Sequence, residues 1–352
     1  MNGNHLQLVQ IFRGLAALMV VLRHSWLTSE TKFSHDYLGG VFQFGYSGVD
    51  FFFVLSGFII TYSHVHEIGK TNRVSTYLKK RLFRIFVPYW PVALAMALFY
   101  SITDSFGFDY FSNPIYLLKS FLLWPQSVNP VLNVAWTLTH ELWFYIIFGL
   151  ALAWGKKGAL CLVALFTTLS LYQMVSLTSQ LFPAFSFPMS FVFSHHNLEF
   201  LMGCGIAFLS ASRFKQFANF FLFIGFCSFV SSAYFENQLQ RIFGPAHSVM
   251  TYGLASGFLL IGAIFYEQYR PIIKSPRYLL FFGNASYSIY LIHFPALSLL
   301  ARLSLKFELQ KFVHIELLIT GMALIATTIA CLYYILWENR MLLWFRRRST
   351  SA

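Results

Sequence analysis

The sequence predicts an all-α fold: a polytopic membrane helix bundle with about ten transmembrane helices and both termini in the cytoplasm. Hydrophobic residues make up 57% of the chain and charged residues only 11%. A soluble globule of 352 residues would need far more polar surface. The apolar residues are also grouped in runs long enough to cross a bilayer. These observations exclude a soluble enzyme or a soluble binding domain.

Ten runs are long and apolar enough to span a membrane, at residues 6–27, 45–64, 87–103, 134–154, 158–176, 197–212, 217–235, 248–266, 279–304 and 315–337. The first run contains Arg13 and lacks a small-residue cleavage pattern, so we expect a retained helix and not a signal peptide. Two outer stretches, 104–133 and 177–196, are rich in Phe, Pro, Ser and Leu and are predicted to form lid or re-entrant pieces. Within the first of them, residues 116–124 are apolar but too short to span, which predicts an interfacial or re-entrant helix.

The positive charges predict the orientation of the chain. Its net charge is +12, and most lysines and arginines fall in the loops that are inside if the N-terminus is cytoplasmic. The positive-inside rule then sets both termini in the cytoplasm. The charge therefore indicates contact with the lipid bilayer and not with nucleic acid. We expect residues 1–340 to form one transmembrane domain and residues 341–352 to form a short basic cytoplasmic tail.

The cysteines predict no crosslink and no metal centre. All of them lie in apolar runs, without a CxxC pattern or a Cys/His pair, so neither a disulfide framework nor a zinc site is expected. They are Cys161, Cys204, Cys227 and Cys331.

The first span carries two ionisable side chains, Arg13 and His24, on one predicted face. Eleven residues of α-helix close three turns to within ~20° and rise roughly 16 Å. An ionisable side chain in a membrane helix costs on the order of 2.5 to 3.5 kcal/mol or more, so it usually faces a bundle interior or an aqueous cavity. We interpret this face as the wall of a site. The alternative for His24 is an interfacial side chain beside Arg23, whose long side chain can reach the headgroups.

Two acidic residues are also predicted to face the bundle interior. Asp50 is the only charge in the second span, where glycines allow close helix approach. In the fourth span Thr137, Glu141 and Tyr145 share a face at i, i+4 and i+8, so a carboxylate is flanked by two hydroxyl groups. Both acids are candidate site residues.

The ninth span places Ser286, Tyr290 and His293 on one stripe at i, i+4 and i+7, and Pro295 is expected to kink the helix. This stripe has two interpretations. Tyr290 and His293 are candidate substrate-binding residues, and hydrogen bonds between packed helices explain the same pattern equally well.

A basic aromatic segment, residues 77–90, runs into the third span. Arg81 and Arg84 lie three residues apart, just before the membrane, and guanidinium groups match phosphate oxygens in geometry. Lys79 and Lys80 are better explained as orienting charges that contact anionic lipid headgroups. We therefore predict that the two arginines form a phosphate-binding pair.

Five motifs in order resemble the acyltransferase-3 family of bacterial integral-membrane acyltransferases, which O-acylate surface carbohydrates. They are the Arg-x10-His pattern from Arg13 to His24 and the segments 48–58, 81–88, 136–145 and 286–293. The chain is most similar to the exopolysaccharide and O-antigen acetyltransferase branch. Two features depart from the family: His140 stands beside the matched glutamate, and no esterase-like periplasmic domain follows the last span. The second departure predicts a membrane domain that acts alone or with a separate partner.

The resemblance implies transfer of an acyl group, most often acetyl from acetyl-CoA, to a hydroxyl group of a surface or exported carbohydrate. The expected partners are acyl-CoA, a carbohydrate or lipid-linked glycan acceptor and the bilayer, with no permanently bound cofactor and with a homo-oligomer left open. The expected location is the bacterial inner membrane. Arg81 and Arg84 would hold the CoA phosphates at the cytoplasmic face.

The resemblance also implies roles for the buried polar residues. His24 would be the general base toward the acceptor hydroxyl, because a neutral imidazole can take that proton near pH 7. Either Glu141 or Asp50 would orient and stabilise the imidazolium, and Arg13 would position the donor or offset charge on the thioester oxygen. These residues do not decide between the two acids.

A second class of function fits the same composition. Ten helices with buried Arg, Asp, Glu and His also describe a proton-coupled transporter of a small anionic solute. The sequence shows no internal repeat with matched Gly/Pro-broken helices, which disfavours transport. Consumption of acetyl-CoA by the purified protein would separate the two classes.

Overall fold

A computed structural model describes residues 6–103, 113–210, 214–238, 246–269 and 275–350. Within these ranges the regular structure is helical, with no strand. The helices are α1 (Gln7–Phe33), α2 (Gly48–His64), α3 (Thr71–Thr103), α4 (Pro114–Phe121), α5 (Trp136–Ser179), α6 (Met189–Val192), α7 (His196–Leu209), α8 (Ala218–Gln238), α9 (Leu254–Tyr269), α10 (Arg277–Lys306), α11 (Ile315–Tyr333) and α12 (Asn339–Thr350). Two π-helical turns, Val249–Gly253 and Tyr334–Glu338, precede α9 and α12.

Each of the ten predicted spans overlaps a helix. Among the described residues eight helical stretches are long and apolar enough to cross a membrane. One of them contains α5, which breaks at Gly155 and so covers the two spans predicted at 134–154 and 158–176. The remaining predicted span, 197–212, corresponds to α7, which has only 14 residues. The chain is therefore an all-α, multi-pass membrane protein.

The structure also describes parts of the predicted interfacial helix, the basic tail and the two lid stretches. Helix α4 lies where the sequence predicts an interfacial or re-entrant helix, and the basic tail is helical as far as Thr350. Residues 104–112 of the first predicted lid stretch lie outside the described residues. The second stretch contains the single-turn helix α6.

The chain divides into two compact units. Unit 1 comprises Met1–Ala16, Tyr46–Leu78 and His140–Asn284, and unit 2 comprises Ala17–Gly45, Lys79–Thr139 and Ala285–Ala352. Helices α1, α3, α5 and α10 therefore contribute residues to both units.

In unit 1, two glycines allow α2 and α7 to pack backbone against backbone. A Cβ atom added at Gly57 would overlap the carbonyl oxygen of Phe200, and one added at Gly203 would overlap the carbonyl oxygen of Val54. Lipid tails are as apolar as leucine, so membrane helices associate largely by this kind of close packing at small residues. Gly57, in the second predicted span, therefore has the role that the sequence indicates.

The turn after the C-terminal end of α2 depends on two more glycines of unit 1. Gly155 has φ +74° and Gly69 has φ +90°, backbone conformations that side chains with a Cβ rarely adopt. The Gly69 N–H donates a hydrogen bond to the carbonyl oxygen of Leu152 at 2.8 Å. The break in α5 thus receives a donor for a carbonyl near the end of its first half.

In unit 2, α3 contains two prolines, and carbonyl oxygens next to them accept hydrogen bonds from other elements. Pro91 has no N–H, so the carbonyl oxygen of Val87 loses its helical donor. The indole Nε1–H of Trp337 donates to that oxygen at 3.0 Å, and the hydroxyl group of Tyr333 donates to the carbonyl oxygen of Pro88 at 2.7 Å. Side chains near the C-terminus therefore satisfy carbonyl oxygens of α3 next to its prolines.

We predict that Gly203→Ala destabilises the protein by about 1 to 3 kcal/mol, because the methyl group must displace the α2 backbone. Gly205→Ala is the matched control, since a Cβ at Gly205 meets nothing within 4 Å. Thermal unfolding of the two detergent-purified variants checks the prediction. Equal melting temperatures would contradict the proposed close contact.

Candidate functional site

His24 and His293 form a hydrogen-bonded pair in unit 2. The Nε2 atom of His293 lies 3.2 Å from the Nδ1 atom of His24, and the ring centroids are 4.8 Å apart. Helix α1 supplies His24, whose side chain is partly accessible, and α10 supplies His293, which is fully buried. The structure thus joins two of the predicted site residues that are far apart in sequence.

Backbone carbonyl groups determine the tautomer of each ring. The Nδ1 atom of His24 lies 2.9 Å from the carbonyl oxygen of Val20, and that of His293 lies 3.0 Å from the carbonyl oxygen of Ile289. A carbonyl oxygen only accepts hydrogen bonds, so both Nδ1 atoms carry hydrogen. In the neutral rings the lone pairs are then on the Nε2 atoms. His24 therefore has Nε2 as its basic nitrogen.

The predicted stripe on α10 is a buried face of unit 2. Ser286 and Tyr290 are buried, and the hydroxyl group of Thr137 lies 2.9 Å from that of Tyr290. Both hydroxyl groups are within reach of the carbonyl oxygen of Val134, at 3.0 and 3.3 Å. The Tyr290 ring centroid lies 5.8 Å from that of His293. The stripe forms hydrogen bonds to another element, as the packing interpretation predicts. It also places polar groups next to His24, which is compatible with the substrate-binding interpretation.

Glu141 and Arg13 each have a partner in their own part of unit 1. The hydroxyl group of Tyr145 donates a hydrogen bond to Oε1 of Glu141, as the i, i+4 spacing suggests. Arg13 donates from Nη1 to Oε1 of Gln10 at 2.9 Å. The catalytic roles given to Glu141 and Arg13 stay predictions.

Asp50 belongs to a buried acidic cluster of unit 1 that the sequence did not predict. Its carboxyl group contacts the side chains of Glu199 and Ser248, and Oε2 of Glu199 lies 3.0 Å from Nδ1 of His196. Asp50 is 2% exposed and Glu199 is fully buried. The structure therefore places two buried acidic side chains and a histidine close together in unit 1.

The backbone around this cluster provides room and electrostatic support. Asp50 lies in the first turn of α2 and Glu199 in the first turn of α7, where helix dipoles favour negative charge. The π-helical turn Val249–Gly253 brings Gly253 so close to Glu199 that an added Cβ would lie 3.0 Å from Oε1. π-Helical turns of this kind are common at functional sites.

Sequence reasoning missed Glu199 and its neighbour His196, although a signal was present. Glu199 is the only acid in the otherwise apolar α7, and an ionisable residue in a membrane helix indicates a functional or paired position. His140 is buried as well, stacked on Phe191 with ring centroids 4.4 Å apart and 5.4 Å from the His196 ring. His140 is thus packed against the rings of Phe191 and His196.

The predicted phosphate-binding pair lies in the part of α3 that belongs to unit 2. Arg81 and Arg84 are partly accessible, whereas Lys79 and Lys80 are exposed. Helix α3 contains no Asp or Glu. The phosphate-binding role given to this pair stays a prediction.

Comparison with known proteins gives a consistent result. The model of the acyltransferase-3 family, described as an acyltransferase domain, matches residues 8–337. The chain is 29% identical to the O-acetyl transferase of Shigella phage Sf6 over 57% of its own length and 62% of that protein. It is 26% identical to the putative peptidoglycan O-acetyltransferase YrhL of Bacillus subtilis over 72% of the chain and 44% of that protein. It is 23% identical to the O-acetyltransferase OatA of Staphylococcus aureus over 79% of the chain and 50% of that protein.

The chain thus spans only part of the length of these relatives. No solved structure matches it. The family model covers nearly the whole chain, including both histidines of the pair and all five motifs noted in the sequence. The chain therefore belongs to the acyltransferase-3 family of membrane proteins.

Proposed function

We propose that the chain is a membrane-bound O-acyltransferase that moves an acyl group, in the simplest case acetyl, from acyl-CoA to a hydroxyl group of a surface or exported carbohydrate. The observation that carries the proposal is the His24–His293 pair, which leaves a basic nitrogen on a partly accessible ring. The relatives support the reaction class, because three of them are named as O-acetyltransferases and one name specifies peptidoglycan.

In the proposed reaction, His24 Nε2 accepts the proton of the acceptor hydroxyl group as its oxygen attacks the thioester carbonyl carbon. The carbon–sulfur bond then breaks, and the proton passes from the imidazolium to the departing thiolate. The products are an O-acyl ester and free CoA thiol, so atoms and charge balance. A positioned base of this kind contributes on the order of 10² to 10⁴-fold in rate.

Arg81 and Arg84 are proposed to hold the phosphates of the acyl-CoA donor. Each guanidinium group can form a paired set of charge-assisted hydrogen bonds with phosphate oxygens. Arg13 is proposed to position the donor or to offset charge on the thioester oxygen. Either Asp50 or Glu141 is proposed to stabilise the imidazolium of His24.

The acceptor is proposed to be a glycan or lipid-linked glycan, and the location a bacterial inner membrane with both termini cytoplasmic. The positive-inside rule supports this orientation. Donor and acceptor would then approach from opposite faces of the membrane, with the donor on the cytoplasmic side.

One observation favours the second candidate function, a proton-coupled transporter of a small anionic solute. The buried Asp50–Glu199 pair, joined to His196, resembles the proton-binding groups that transporters use. Purified protein in liposomes separates the two functions. Thioester consumption that depends on an added glycan supports transfer, and solute uptake without thioester loss supports transport.

We predict that His24→Gln and His24→Ala both reduce acyl transfer by roughly 10²-fold or more, because neither side chain can take a proton near neutral pH. Radiolabelled acetyl transfer from acetyl-CoA to membrane glycan measures the effect at equal protein levels. His66→Gln, an exposed histidine outside the site, is the matched control and should transfer normally. Near-normal transfer by His24→Gln would remove His24 from the role of base.

We predict that Arg81→Lys raises the KM for acetyl-CoA roughly tenfold, in line with the loss of one charge-assisted hydrogen bond. Lysine keeps the positive charge, so membrane orientation should not change. Lys80→Arg provides the reciprocal control and should leave KM unchanged. The phosphate-binding proposal fails if Arg81→Lys and the unsubstituted protein have equal KM values.

A further inference from the structure

We propose that His293 is a positioning residue for His24: its Nε2 lone pair accepts the Nδ1–H of His24 and holds the ring with Nε2 toward the substrate. This inference rests on the proposed function and deepens it. Sequence analysis offered His293 as a substrate-binding residue. The geometry gives it a different task, because its Nε2 atom is occupied by His24 at 3.2 Å.

A hydrogen bond within α10 determines the tautomer of His293 independently of His24. Its Nδ1–H donates to the carbonyl oxygen of Ile289 at 3.0 Å, one turn earlier on α10, and its side chain is fully buried. A neutral ring that donates at Nδ1 can only accept at Nε2. His293 therefore presents an acceptor, and no proton, to its neighbour.

The Nδ1–H of His24 then lies between two acceptors, the carbonyl oxygen of Val20 at 2.9 Å and Nε2 of His293 at 3.2 Å. Turning the ring over would put a carbon atom in this position and lose both hydrogen bonds. The two acceptors therefore select one ring orientation. They also stabilise the imidazolium that forms when Nε2 takes a proton, because hydrogen bonds from charged donors are the stronger ones.

A histidine suits this role in a membrane helix better than an acid does. A carboxylate next to His24 would have to be buried as an ion, which is costly in a bilayer. A neutral imidazole supplies the acceptor without a formal charge. His24 thereby obtains a supporting partner within unit 2.

The test compares His293→Leu, which removes the acceptor, with His293→Gln, whose amide oxygen can replace Nε2. We expect His293→Leu to lower kcat roughly 10- to 100-fold with little change in the KM for acetyl-CoA. We expect His293→Gln to recover most of that loss. Ser304→Ala, a buried polar position on the same helix, is the control and should behave as the unsubstituted protein.

The pH profile separates positioning from a structural role. Loss of an acceptor disfavours the imidazolium, so the acid limb of kcat should move to lower pH in His293→Leu and return in His293→Gln. A merely structural residue would lower activity without moving this limb. If His293→Leu does not accumulate, His293→Phe takes its place, because it keeps a ring and also removes the acceptor: a raised KM with an unmoved limb overturns the proposal and indicates substrate binding.

A readout without catalysis keeps this proposal distinct from the proposed function. Carbethoxylation of His24 by diethylpyrocarbonate, followed by peptide mass spectrometry, reports the fraction of neutral ring at each pH. A lower-pH transition in His293→Leu supports the positioning role even in a protein that shows no acyl transfer. Unchanged kcat, pH limb and carbethoxylation in His293→Leu would overturn it.

Discussion

The structure depends on one constraint: a polar group inside a bilayer must find its partner within the chain. The carbonyl oxygen of Val87, released by a proline, receives the indole N–H of Trp337. The ring of His24 is held by a carbonyl group and a second histidine, His293. Where water would satisfy such groups in a soluble protein, this chain uses neighbouring helices. The same requirement for internal hydrogen-bond partners thus applies to the backbone and to the candidate site.

Hydropathy predicted the helices well, because the bilayer imposes length and polarity on each span directly. The break at Gly155 was also predictable, since polar residues and glycine separate two apolar runs there. Helical spacing correctly placed Ser286, Tyr290 and His293 on a buried face. Local periodicity shows which face of a helix is buried, and that much of the site could be derived from sequence.

Local periodicity could not show which buried helix faces contact each other. His24 and His293 are 269 residues apart, and no local rule connects them. The sequence offered Asp50 as one of two acids that could support His24. In the structure its carboxyl group contacts Glu199, an acid that the sequence analysis did not single out. Contacts between helices depend on rotations and crossing angles that one sequence does not specify. The identity of each partner therefore needed the structure.

The meeting of Gly69 and Gly155 has a practical consequence for mapping the orientation of the chain. A Cβ on Gly155 would lie 3.7 Å from the Cα of Gly69, and both residues have left-handed backbone. The turn after α2 and the break in α5 are thus one steric unit, although more than eighty residues separate them. A reporter inserted into either turn would distort both and disturb two crossings. Its signal would then describe a damaged protein, so orientation reporters should be placed in loops that do not share a junction of this kind.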